Sequence, residues 1–228
     1  MPRARAAPAA GRIALVLLGL HAAGCPSLHT MGPARTVPVG ERQTYLAVGA
    51  YRTVLVSSST AGDERTREWL PLLDAGVRFG LSERADLGMR LGLGGASIGP
   101  RFQVARSDTQ DSGIDVLLEP SLGLTGALPS ARGGVLTGVY LGLALPVGIN
   151  LGGGSQLVLT PRAAAVADDL LGHYGLAGGS VALVLRIGGS DARPWFLVPE
   201  CASAAVRGGV TSFGGPNVQC ALGLLGPW

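Results

Sequence analysis

Apolar residues alternate with small or polar residues along most of the chain beyond residue 42. The clearest segment places Leu87, Met89, Leu91 and Leu93 on one side, with aspartate, glycine and arginine between them. Strict period-two alternation predicts β-strands with two unlike faces. We predict ten strands, with eight and twelve as the bounds of the count: 43–56, 70–81, 86–94, 97–106, 113–125, 136–149, 156–167, 174–187, 194–206 and 217–226.

The two faces of these strands have opposite character. One face of nearly every strand is continuously aliphatic, and the other carries glycine, alanine and scattered charge. A soluble sandwich or lipocalin packs its large residues inside, whereas here we expect them to face outward into an apolar solvent. Because backbone groups in lipid must be paired within the protein, such a sheet has to close. The pattern therefore predicts an all-β fold, an antiparallel up-and-down transmembrane β-barrel.

The lengths of the connections give an orientation. In outer-membrane barrels the periplasmic turns are short and the outer loops are longer. The short predicted turns are Ser82–Ala85, Ser107–Ser112, Asn150–Ser155 and Gly188–Arg193. The longer predicted loops are Ser57–Leu70, Gly126–Val135 and Arg207–Pro216.

The N-terminal part of the chain does not follow the strand pattern. Three arginines precede an apolar run at residues 13–20, and small residues follow it. This order is typical of a secretory signal peptide, and the run is too short to span a bilayer. The next stretch contains proline, threonine and glycine without a sustained period, which predicts a tether. The predicted organisation is a signal peptide (1–24), a lipid-anchor tether (25–41) and a β-barrel domain (42–228).

Composition and charge exclude several classes of function. Only 14% of the residues are charged and 37 of 228 are glycine, which is not the composition of a disordered chain. The net charge is +3, but three of the 18 basic residues lie in the leader and no acidic residue does. The remaining chain is neutral, so the basic balance gives no reason to expect a nucleic-acid partner. We expect no cofactor and no metal site, because no phosphate-binding loop or Cys/His cluster of ligand spacing is present.

Charged residues on the small-residue face form the main candidate site. There are five of each sign, and they are expected to point into the barrel: Asp74, Arg78, Asp86, Arg90, Arg101, Asp115, Glu119, Arg162, Arg186 and Glu200. Charges in a narrow lumen are costly unless they are paired. Two interpretations follow: an internal ion-pair network that fills a closed barrel, or a charged constriction that selects small solutes.

The cysteines have separate expected roles. Cys201 and Cys220 fall on the last two predicted strands, on the same outward face, where a disulfide would join the closing hairpin. The alternative is two separate thiols on an apolar face. Without Cys25 the chain has an even number of cysteines, as expected in an oxidising compartment.

Two stretches carry a resemblance to known proteins. Ala22-Ala23-Gly24-Cys25 resembles the bacterial lipobox, which implies that Cys25 becomes the lipidated first residue; the alternative is ordinary cleavage after Gly24. The segment GVRFGLSERADLGMRLGLGG resembles a hairpin that recurs in predicted outer-membrane β-barrel proteins of Gram-negative bacteria. Trp228 is similar to the terminal aromatic residue that the barrel-insertion machinery reads in that family.

Together these observations predict an outer-membrane β-barrel lipoprotein with a periplasmic N-terminus and a structural or narrow-pore, porin-like role. Its expected partners are outer-membrane lipid and the barrel-insertion machinery, with small solutes if the lumen is open. One alternative is a soluble periplasmic β-barrel that binds an apolar ligand. A second is a hydrolase at the outer rim, and its candidate residues are Asp168, Asp169, His173, Ser57, Ser58, Ser59 and Thr60.

Overall fold

The computed structural model describes residues 27–59, 62–109, 111–126, 137–168, 172–189, 193–208 and 217–227. The predicted signal peptide and Cys25 lie outside these residues, as do Thr60, Asp169 and Trp228. Within the described residues, no helix is long and apolar enough to cross a lipid bilayer.

Antiparallel strands make up nearly all of the described chain. Their bounds are β1 Arg42–Ser59, β2 Gly62–Ser82, β3 Ala85–Gly92, β4 Gly95–Ala105, β5 Ile114–Gly126, β6 Thr137–Ala144, β7 Val147–Gly152, β8 Ser155–Asp168, β9 Gly172–Gly189, β10 Pro194–Gly208 and β11 Asn217–Pro227. β6 and β7 are two halves of one strand, because both lie between β5 and β8. The break falls at Pro146, which has no N–H to give to a ladder.

The sheet closes into a barrel of ten strands. Each strand pairs with its neighbours in sequence, and β1 also pairs with β11 from Gln43↔Pro227 to Arg52↔Val218. The all-β, up-and-down antiparallel barrel and its ten-strand count are therefore confirmed. We call the end at which β1 begins and β11 ends the turn mouth, because the short hairpins after β2, β7 and β9 also lie there.

The first hairpin is longer than predicted. Sequence analysis predicts a loop at Ser57–Leu70, but β1 and β2 stay paired in register up to Ser59↔Gly62. That prediction is wrong. The segment Gly62–Glu68 has no apolar alternation, and its charges suggest a solvated loop, but its main chain pairs with β1 there.

The aliphatic face of the barrel is the outer one. Large apolar side chains are exposed on every strand element except β10, and Leu91 and Leu141 are 69% and 65% exposed. The same strands bury their charged residues: Asp74, Asp86 and Arg101 are at most 1% exposed. The predicted inversion of polarity, with large residues outside and charges inside, is what the structure has.

The stretch predicted to be a tether lies inside the barrel. Residues 27–41, which we call the plug, run from the middle of the lumen to the turn mouth and join β1 there. Leu28, Met31, Ala34 and Val37 are each at most 5% exposed. Met31 and Ala34 belong to one apolar cluster with barrel residues such as Leu117, Val158 and Leu225. The plug is thus part of the packed interior.

A disulfide joins the closing hairpin on the outer face. Cys201 and Cys220 stand opposite each other in the β10–β11 register, with Cα atoms 4.1 Å apart and the sulfur atoms bonded. The bridge closes a loop of 19 residues. A cross-link of this length stabilises a fold by about 3 kcal/mol in the chain-entropy account.

Replacing both cysteines, Cys201→Ser with Cys220→Ser, should lower the free energy of unfolding by up to about 3 kcal/mol. Denaturant unfolding of the wild type with and without reductant gives the same comparison. Thiol labelling of the unfolded, unreduced wild type should leave both residues unmodified. Labelling at both positions would contradict the bridge.

Candidate functional site

The plug is held in the lumen by buried side chains that accept hydrogen bonds from its main chain. Glu200 accepts from the amides of Thr30 and Met31, at 2.8 Å each. The further pairs are Leu28 N–H with Gln219 at 2.9 Å, Ala34 N–H with Gln156 at 2.9 Å, Thr36 N–H with Gln103 at 3.0 Å and Val37 N–H with Asp86 at 2.9 Å. Each carboxylate or amide oxygen thus satisfies a donor that is hidden from water.

Arginines of the barrel wall donate to the plug carbonyls. Arg78 donates to the carbonyl oxygens of Thr30 and Met31, the second at 2.9 Å. Arg90 donates to the carbonyls of Ser27 and His29, and Arg101 donates to those of Pro33 and Arg35. The wall therefore binds both the N–H donors and the carbonyl acceptors of the plug main chain.

The plug bends where it passes closest to the wall. Met31 has a φ of +45°, a region that few non-glycine residues adopt. Its amide is held by Glu200 and its carbonyl by Arg78. A Cβ atom on Gly32 would clash with the Arg78 guanidinium, so a larger residue there requires the arginine side chain to move. Arg78 holds the bend through the Met31 carbonyl, and Gly32 leaves room for the Arg78 side chain.

Ion pairs join charged side chains within the lumen. Asp86 and Arg101 are 2.5 Å apart and both are fully buried. Asp115 pairs with Arg35 of the plug at 2.6 Å, and Asp74 lies 3.4 Å from Arg90. Buried pairs of this kind are costly to break, because the remaining charge is left without a partner.

The other predicted lumen residues also lie on the inner face. Glu200 is buried at 2%, and Arg162 donates to the Thr30 hydroxyl at 2.7 Å. Glu119 lines the same cavity as Arg162, and Arg186 lines a second cavity at the turn mouth. The sequence pattern therefore places all ten charges on the correct side of the sheet, and most of them contact the plug.

A small polar cavity lies between the plug and the wall, with a volume of about 70 Å³. His29, Glu119 and Arg162 border it. Glu119 Oε2, Arg162 Nε and both His29 ring nitrogens are buried without a hydrogen-bond partner among the described residues. Burial lowers the pKa of His29 to about 4, so its ring is neutral at neutral pH. A cavity of this size and polarity has room for water that would satisfy these groups.

Several uncharged and plug residues form lumen contacts that the sequence analysis did not include among the candidate site residues. Gln103, Gln156 and Gln219 all bind the plug, and Asn150 bonds Asp115 at 3.2 Å. Their positions on the small-residue face were a signal, because an amide on that face must point into the lumen. Arg35 was missed for a different reason: it lies in the predicted tether.

Two candidate residues of a rim hydrolase, Asp168 and His173, lie on opposite faces of the sheet. In the β8–β9 register, His173 stands opposite Ala167 and Asp168 opposite Gly172. Neighbouring positions on a strand point to opposite faces. Asp168 accordingly shares the inner face with Val166, while His173 is exposed on the outer face. In the described part of the chain, no group of three or more His, Cys, Asp or Glu side chains is placed to hold a metal ion.

A comparison with known protein families and with curated protein sequences finds no match for this chain.

Removing the Glu200 carboxylate should release the plug. Glu200→Ala leaves two buried amides without acceptors, at a cost of about 1–3 kcal/mol for each. We expect trypsin to cut the folded protein after Arg35 at least ten times faster than in the wild type, as followed by mass spectrometry. Glu200→Gln keeps one acceptor oxygen and should give an intermediate rate.

Glu83→Ala is the matched control, because the Glu83 side chain is exposed at a turn and only its carbonyl contacts the plug. Equal cleavage rates in Glu200→Ala and Glu83→Ala would show that the carboxylate does not hold the segment.

Proposed function

We propose that this protein is an outer-membrane β-barrel with a structural role, closed by its own plug. The observation that carries the proposal is the continuous aliphatic belt on the outside of a closed sheet. Monomeric soluble proteins seldom expose apolar patches larger than a few hundred Å², and larger ones mark contact surfaces. A belt that includes every strand element but β10 suits lipid better than a single protein partner.

The spacing of aromatic residues along β2 supports a bilayer as the surrounding solvent. Trp69 and Phe79 are both exposed on the outer face, with Leu73 between them. Ten residues of strand rise about 33 Å, or about 25 Å along the barrel axis at a tilt near 40°. That length equals the apolar band of outer-membrane barrels, which aromatic residues flank at both interfaces.

The contents of the lumen favour a closed barrel over a pore. The plug fills the interior from its middle to the turn mouth, and buried charged groups hold it by its main chain. The apolar part of the interior is occupied by Met31 and Ala34. This arrangement supports neither a lumen open to solutes nor a cavity for an apolar ligand, so the soluble alternative is less well supported.

The cellular context belongs to the same proposal and rests on the sequence. It comprises export by the leader, a Gram-negative outer membrane, recognition of the last strand by the insertion machinery, a periplasmic N-terminus and lipidation of Cys25. One geometric condition applies to the lipid. Ser27 lies within the lumen, bonded to Asp74 at 2.9 Å, and two residues span about 7 Å at most. A lipidated Cys25 therefore has to lie within that distance of Ser27 while the plug is seated.

Charged substitutions at two depths on one face of β2 test for membrane insertion. Leu73 lies between the two aromatic residues, and Leu81 lies beyond Phe79 towards the turn mouth. In a bilayer, Leu73→Arg should lower the free energy of unfolding by about 2–4 kcal/mol and Leu81→Arg by about 0–1 kcal/mol. Denaturant unfolding in phospholipid vesicles measures both.

Both leucines are exposed, so a soluble barrel would tolerate either arginine with little change. Equal and small effects at the two positions would therefore contradict insertion. Release of the wild type from membranes by carbonate without detergent would contradict it as well.

A closed lumen predicts how the protein behaves in planar bilayers. The wild type, inserted as a heat-modifiable barrel, should give no steady ion conductance. Glu200→Ala combined with Asp86→Ala removes the acceptors of three plug amides and should produce conducting events. Steady conductance of the wild type would favour the narrow-pore role instead.

A further inference from the structure

A second cavity lies at the turn mouth, with a volume of about 160 Å³. It is larger than the cavity beside His29 and is bounded by both the plug and the barrel wall. The plug contributes the segment from Pro33 to Pro38, and the wall contributes the first residues of β1 and β10. Nothing in the proposed structural role explains a space of this size at the mouth.

Most of the charged residues around this cavity are positive. Five arginines line it against a single acidic residue, Glu41: Arg35, Arg42, Arg106, Arg186 and Arg193. Arg35 is engaged by Asp115 and by the oxygens of Ser107 and Thr109. Arg42, Arg186 and Arg193 also interact with other groups of the protein, as Arg35 does. Arg42, Arg106, Arg186 and Arg193 come from β1, the β4–β5 connection, β9 and the residue before β10, so the arginines surround the space from different sides.

The chemistry of the lining specifies the kind of ligand. Guanidinium groups bind phosphate and carboxylate in a bidentate manner, and several of them around one space favour an anion with more than one charge. The remaining wall offers an aromatic ring, Phe196, and several prolines. We propose that the turn-mouth cavity binds a phosphate group through Arg186, Arg193 and their neighbours. The phosphate could belong to a soluble phosphate ester or to a phospholipid headgroup that reaches the mouth.

Binding at this site would also act on the plug. The segment from Pro33 to Pro38 forms one side of the cavity, so a bound phosphate contacts the plug and the wall together. A ligand that binds only the seated arrangement stabilises it by mass action. The site thus couples an anionic ligand to closure of the barrel.

The test uses the full chain in an uncharged maltoside detergent at constant ionic strength, titrated with inorganic phosphate and pyrophosphate in a calorimeter. We expect saturable binding at one site. Arg186→Gln and Arg193→Gln should each weaken it about tenfold or more, because each removes charged hydrogen bonds. Phosphate should also slow trypsin cleavage after Arg35 in the wild type.

Arg207→Gln is the matched control, since Arg207 is exposed near the opposite end of β10. A second arm compares nanodiscs of phosphatidylcholine with and without phosphatidylglycerol. Weaker binding of free phosphate in the anionic discs would identify the headgroup as the occupant, and unchanged binding would identify a soluble ester.

Absence of saturable binding, or an equal loss in Arg207→Gln, would overturn the proposal. Because each sample is first checked for heat-modifiable migration, failure of this site is distinguishable from failure of the proposed barrel role.

Discussion

The structure depends on one constraint: the main-chain groups and the wall charges inside the lumen are removed from water and must satisfy each other. A buried donor or acceptor without a partner costs about 1–3 kcal/mol, and a buried charge costs more. Wall charges such as Glu200 and Arg78 meet this requirement by bonding the main chain of the plug. The plug meets much of it, because an extended segment offers N–H and C=O groups along its whole length. Glu200 and Arg78 show the principle at Met31, where one takes the amide and the other the carbonyl.

The same constraint explains the inverted polarity of the barrel. Once the polar groups are gathered inside around a peptide, the outer face carries mostly side chains that need no hydrogen-bond partner. Leucine, isoleucine and valine cover it, and the bridge between Cys201 and Cys220 is compatible with an apolar surrounding. Closure of the sheet through β1 and β11 pairs its first and last strands with each other from Gln43 to Arg52. The polar interior and the apolar exterior thus both follow from the alternation of polar and apolar residues along the strands.

Much of this arrangement could be predicted from the sequence, because strand alternation is a local signal. It predicts ten strands, their inner and outer faces and the ten inward charges, and it sets Cys201 and Cys220 on neighbouring strands with the same outward parity, where a disulfide is one of two interpretations. The position of residues 27–41 could not be predicted in the same way. Proline and glycine remove any period there, and the segment's structure is set by distant side chains such as Gln156 and Gln219. The paired extension of β1 and β2 beyond Ser57 was missed for a similar reason. Main-chain hydrogen bonds form there although the charged segment shows no apolar alternation that would predict a strand.

The central claim is that residues 27–41 fill the lumen, and a cysteine pair across the plug and the wall tests it most directly. A Cβ built on Gly148 lies 2.8 Å from the Cβ of Ala34 and 2.8 Å from Gln156 Oε1. Cysteines at both positions therefore form a disulfide after a small shift of the plug and of the Gln156 side chain. We predict that Ala34→Cys with Gly148→Cys oxidises spontaneously, and that peptide mass spectrometry recovers the two segments joined. Ala34→Cys with Gly188→Cys should not cross-link, because a Cβ at Gly188 meets nothing within 4 Å. Free thiols at both positions of the first pair, in a barrel that is otherwise intact, would contradict the account.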